Sequence, residues 1–114
     1  MAETTREIPK AEWGPYFDAL GKVDPAPTVA VEVDGAEIGA QVETDQVTLV
    51  AISYDDRDDV LVIGLSPAEH EQLEHLVYNP RQIYALDGED GVSTIDVQGA
   101  DGSKTLIQFG SQTN

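Results

Sequence analysis

From Thr28 onward the chain reads in twos. The segment TVAVEVDGAEIGAQVE sets Val29, Val31 and Val33 on one side of an extended backbone, passes through Asp34-Gly35, and continues with Ile38, Ala40 and Val42. Successive side chains of a strand point to opposite faces, so an apolar residue at every second position marks a half-buried strand rather than a helix. Asp-Gly between two such runs predicts a tight hairpin at that dipeptide. QVTLVAISY follows as a third strand, then the acidic turn DDRDD, then VLVIGL as a fourth. Both strands are apolar on both faces in places, so both are expected to lie centrally in the sheet. QIYAL, VSTIDV and TLIQF make three more, separated by DGEDG and GADGS. The glycines and aspartates of those links supply the positive-φ positions that tight turns need.

The opening reads differently. Residues 1–7 are polar and expected to be disordered. In IPKAEWGPYFDALGK, Trp13, Phe17 and Leu20 recur at i, i+4, i+7, the spacing of one helical face. A short amphipathic helix is expected at about 10–21, with Pro9 in its first turn and Gly21 as a left-handed stop. Pro15 removes a helical hydrogen bond, so either a kink or a separate turn is expected there. DPAP, residues 24–27, breaks the chain before the strands begin. Further on, Ser66 and Glu69 form a capping-box pattern with Pro67 between them, which predicts one helical turn at 67–71 before a strand at about 72–78. The fold class is α+β and mainly antiparallel β. We expect a small barrel or two-layer sandwich of about seven or eight short strands with one N-terminal helix, a single domain over 1–114 with strands from about 28 to 109.

Charge is the most unusual compositional feature. Twenty-two acidic residues face six basic ones, a formal net charge of −16, and the acids are spread through the whole chain. A phosphate backbone would be repelled, which argues against direct nucleic-acid binding. Salt adaptation accounts for such a surface, because screening shortens the reach of self-repulsion from about 8 Å at physiological ionic strength to about 3 Å at 1 M. The melting temperature is then expected to climb steadily with potassium chloride up to molar concentration; a flat curve would refute the salt account. The absence of cysteine excludes disulfides and thiolate metal sites. The longest apolar run, VLVIGL, is far short of the ~20 residues of a membrane helix, and MAETTREIPK has no signal-peptide pattern. A cytoplasmic protein without membrane contact is the expectation.

HEQLEH, His70 to His75, resembles the zinc helix H-E-x-x-H but fails its spacing. Histidines at i, i+4 stand about 40° apart around a helix; at i, i+5 the angle is about 140°. On a strand, an odd separation sends them to opposite faces. His70 with Glu74, and Glu71 with His75, remain as weak metal candidates, short of the three or four ligands that zinc takes. YDDRDDV has the wrong spacing for a calcium loop, with Arg57 among its carboxylates. GLSPA around Ser66 lacks the second glycine of a nucleophile elbow, and no phosphate-binding glycine motif occurs. Trp13, Tyr78 and Tyr84 are the candidates for stacking on a ligand, although Trp13 reads most simply as a core anchor. No cofactor and no catalytic residue is expected.

Three stretches, TREIPKAEW, VAVEVDGAEIGAQVE and IDVQGADGSKTLIQF, resemble a small bacterial family of uncharacterised proteins, a domain of unknown function of just over a hundred residues. The likeness covers nearly the whole chain. Its markers are hairpin and helix-start residues, so it implies a fold and no catalytic role. The expected function is a non-enzymatic protein-interaction or structural module of a salt-adapted bacterium, a monomer or weak homodimer. A small-molecule or metal-binding protein, and an acidic mimic of nucleic acid, are the alternatives.

Overall fold

The computed structural model describes residues 4–22, 26–35, 39–68, 70–88 and 91–109. Eight strands are found among them: β1 (Thr4–Glu7), β2 (Thr28–Gly35), β3 (Gly39–Asp55), β4 (Val60–Ser66), β5 (Leu73–Tyr78), β6 (Pro80–Gly88), β7 (Gly91–Gly99) and β8 (Lys104–Phe109). One helix, α1 (Trp13–Leu20), follows a 3-10 turn at Lys10–Glu12. The strands form a single antiparallel sheet in the order β1-β6-β7-β8-β2-β3-β4-β5.

That order and the connectivity together force the sheet to curl. β5 and β6 are six steps apart in the sheet, which would be roughly 29 Å if it were flat. Only Asn79 separates Tyr78 from Pro80, and one residue between two others spans at most about 7 Å. The sheet therefore bends until its two ends approach at this corner. It does not close into a barrel: among the described residues β5 pairs only with β4, and β1 occupies the other side of β6.

Three bulges in β3 do much of the bending. Val29 pairs with Val47 but Val31 with Thr44; Val33 pairs with Val42 but Asp34 with Ala40; Leu49 pairs with Leu65 but Ala51 with Gly64. Each step leaves one extra residue on β3, which kinks the strand and increases its twist. The third bulge also reverses the phase of the side chains. Val47 and Leu49 are buried, then Ile52, and Val50 is pushed outward.

The inner surface of the curl is the core. Val29 and Val31, Leu61, Ile63 and Leu65, Ile83 and Ala85, Ile95 and Val97, and Ile107 alternate inward from their strands. Trp13 and Phe17 enter from α1, four residues apart on one face. The helix packs on β3, and its end comes so close that a Cβ on Gly21 would sit 3.3 Å from the Ile52 carbonyl oxygen.

Several expectations are corrected here. The opening residues expected to be disordered include β1, which pairs with β6 from Thr4↔Asp87 to Glu7↔Tyr84 and is tied by an Arg6–Asp87 ion pair of 2.7 Å. The expected breaks between short strands do not include one before QVTLVAISY: β3 runs through seventeen residues, because bulges rather than a turn absorb the bend. The reversal predicted at Asp34-Gly35 falls later, since Gly35 pairs with Gly39, and residues 36–38 lie outside the described ones. Gly21 has φ −73°, so it ends the helix by permitting close approach and not by a left-handed turn. Pro15 sits in the first turn of α1, where its missing N–H is not needed, and the separate turn before it is the 3-10 segment. The helical turn expected at 67–71 is also absent among the described residues. The Ser66 hydroxyl lies 3.0 Å from the Ala68 carbonyl oxygen and 2.8 Å from that of Glu71, so it donates instead of accepting from helical N–H groups. The capping partner Glu69 lies outside the described residues. Finally, β4 lies between two neighbours, as expected, but only one strand from the edge.

Candidate functional site

The sheet has two edges, and they are built differently. β1 is four residues long, TTRE, all exposed and without a large apolar side chain. A short, polar, charged edge discourages pairing with other chains. β5 is six residues long, LEHLVY, and carries Leu73, Leu76 and Tyr78 at 45%, 38% and 62% exposure. Val50 in the β3 bulge is another large hydrophobic of comparable exposure. The register with β4 assigns the faces of β5. Leu73, His75 and Val77 oppose the buried Leu65, Ile63 and Leu61; Glu74, Leu76 and Tyr78 oppose Gly64, Val62 and Val60 on the outer face.

Left-handed backbone flanks β5, at Asn79 immediately after it and at His70 three residues before Leu73. His70 has φ 68° and Asn79 φ 55°, and Asp59, opening β4, also has φ 55°. These are the non-glycine positive-φ residues of the described chain, and histidine, asparagine and aspartate are the side chains that tolerate the conformation best. The Asn79 N–H donates to the Asp59 carbonyl oxygen at 2.8 Å, and its own carbonyl accepts from the Ala100 N–H at 3.0 Å. β5 is thus tied at its C-terminal end to the turns before β4 and after β7, and among the described residues its other side pairs with no strand.

The proposed metal ligands are dispersed by this geometry. His70 lies in the turn before β5; Glu74 is exposed on the outer face, and His75 points to the inner one, half-buried. No group of three histidine, aspartate or glutamate side chains able to hold an ion occurs among the described residues. Of the stacking candidates, Trp13 is 1% exposed and donates its Nε1–H to the Ile8 carbonyl oxygen at 2.8 Å. Tyr54 meets it edge-on at 5.0 Å, and the Lys10 ammonium covers its ring at 5.6 Å. Tyr78 stands out from β5, whereas Tyr84 lies partly buried on β6, opposite Asp96 and Glu7.

A second feature lies beside α1. Lys10, Ala11, Gly14, Pro15, Tyr54 and Asp56 line a shallow groove of about 420 Å³. The Tyr54 hydroxyl donates to Asp59 Oδ1 at 2.6 Å. Burial and then this bond push the Tyr54 pKa up to about 12, so its phenol stays neutral. The bond ties the end of β3 to the turn that precedes β4.

Sequence comparison now places the chain. It matches a family of unknown function, DUF5335, over residues 4–114. The chain belongs to the DUF5335 family. A relative from Aquifex aeolicus (strain VF5), described as an uncharacterized protein, is 38% identical over 105 residues, 92% of this chain and 91% of the relative. No solved structure matches. No helix of this DUF5335 domain, among the described residues, is long and apolar enough to cross a membrane, which leaves β-barrel membrane proteins unaddressed.

His75 gives the β5 edge a pH dependence. Burial holds its pKa below the usual 6.5. The unfolded chain then binds this proton at higher pH than the folded one, so the stability from neutral His75 is present above about pH 6.5 and is lost as pH falls below it. Between about pH 7 and pH 5 the melting temperature of the DUF5335 domain should fall more steeply than that of a His75→Gln variant. Parallel curves would show that His75 is solvated in the folded state.

Leu73 and Leu76 were missed by reading the sequence alone, because an edge strand and an interior one share the same alternation. Strand order, which decides exposure here, is not written in periodicity. The signal available was LEHLVY itself, an apolar strand interrupted by Glu74 and His75.

Proposed function

We propose that the DUF5335 domain is a non-enzymatic module that works by contact with another protein, and that its dispersed acids adapt it to high salt. The observation that supports the reading is the contrast between the two sheet edges. β1 is short and polar, whereas β5 places Leu76 and Tyr78 together on the outer face of an edge that no other strand covers among the described residues, with Leu73 exposed on the opposite face. Exposed apolar side chains grouped on one surface favour association, while single scattered ones do not. The core and helix act as the mount.

The test uses the intact chain as bait in an extract of its own cells, beside a Leu76→Ser/Tyr78→Ser variant. Both substituted side chains lie on the outer face, so folding should be retained, which circular dichroism checks. A partner retained by the natural chain and lost by the variant is the expected result. A partner retained equally by both would remove β5 from the contact.

A further inference from the structure

Resting on the module reading above, we infer that the free edge of β5 takes up an extended, basic segment of a partner protein as a ninth strand of the sheet. An edge strand presents alternate N–H and C=O groups along its open side, and an added strand satisfies them while its side chains pack beside those of the host. β5 offers such an edge among the described residues, and it is already extended by its pairing with β4 and tied at Asn79 to Asp59 and Ala100, so little of it has to be ordered on binding. Leu76 and Tyr78 stand side by side on its outer face and would flank the apolar side chains of the incoming strand.

Charge selects the occupant. The whole chain carries −16, and the surroundings of β5 follow the same sign. Glu71 and Glu74 are exposed at its start, and Asp56 and Asp58 at its far end in the turn before β4; Arg57 and Arg81 are the nearby exposed bases. Lysine or arginine alternating with apolar residues would meet carboxylates at both ends. A second copy of the chain would instead bring −16 against −16, and an acidic peptide would be repelled in the same way.

The experiment titrates the full chain with a short capped peptide alternating valine and lysine, followed by fluorescence anisotropy and backbone amide exchange. Two control peptides accompany it, one with glutamate for lysine and one with proline for valine. The last keeps the charge but cannot form a regular strand. The valine–lysine peptide should bind, slow amide exchange in β5, and bind about tenfold more weakly to Leu76→Ser/Tyr78→Ser; both controls should bind at least tenfold more weakly to the natural chain. Equal binding of the proline peptide, or an unchanged affinity in the variant, would mean diffuse attraction to an acidic surface and overturn the inference. So would no binding at all, or a natural chain that is dimeric alone and made monomeric by the variant, since a second copy would then hold the edge. Should the variant lose its partner from extract while the peptide never binds, the module reading stands and this one falls.

Discussion

Replacing Trp13 with alanine should lower the stability of the DUF5335 domain by about 3–5 kcal/mol. For a domain whose total is about 5–15 kcal/mol, that is between a fifth and the whole of its stability, so the variant should unfold at much lower urea. Removing the indole would open a large cavity beneath α1, because the ring is 1% exposed and is packed edge-on against Tyr54. It would also strip the Ile8 carbonyl oxygen of its indole donor. Ile8 is the residue whose N–H donates to Ile83 at 2.8 Å, so the indole binds the helix to the place where β1 meets β6. Trp13→Phe keeps most of the volume and loses the N–H, and should cost about 1–3 kcal/mol, the penalty for an acceptor left without its partner. Urea unfolding followed by circular dichroism measures both. A loss under about 1 kcal/mol for the alanine variant would mean that α1 is not part of the cooperative core.

Asn79→Val should be the most damaging exchange at an exposed position, at roughly 1–3 kcal/mol. Asn79 is exposed and its hydrogen bonds to Asp59 and Ala100 are made by the backbone, so any residue but proline could in principle supply them. What valine cannot easily supply is φ 55°, where its branched Cβ crowds the following carbonyl. Asn79→Gly accepts that angle and should stay within about 0.5 kcal/mol of the natural chain. The pair isolates backbone conformation from contact. If valine and glycine behave alike, the corner between β5 and β6 is loose, and the curl of the sheet must be fixed elsewhere.

The sequence made β2, β6, β7 and β8 legible because each alternates between turn residues, and β4 because VLVIGL is a short continuous apolar run between DDRDD and Ser66-Pro67. Trp13, Phe17 and Leu20 gave the helix for a similar reason: their spacing has no strand interpretation. β1 was not legible. Thr4–Glu7 contains no apolar residue, and its strand state arises only from pairing with β6 and from Arg6 meeting Asp87. The length of β3 was hidden too, since bulges leave no fixed residue signature and break the alternation that would reveal them. For the candidate surface, Tyr78 was noticed as an aromatic and His70 as a possible ligand. The structure gives His70 a different place, at a left-handed turn, and shows Tyr78 beside Leu76 on an open edge.

The pairing of β1 with β6 has a consequence for synthesis. Arg6 and Asp87 are 81 residues apart, so β1 emerges from the ribosome without its partner and waits until β6 has followed. At about 5–20 residues per second that delay is roughly 4–16 s, long compared with the microseconds in which hairpins form. A nascent strand idle for so long is exposed to other chains, and TTRE, with its hydroxyls and opposite charges, offers them nothing greasy to hold.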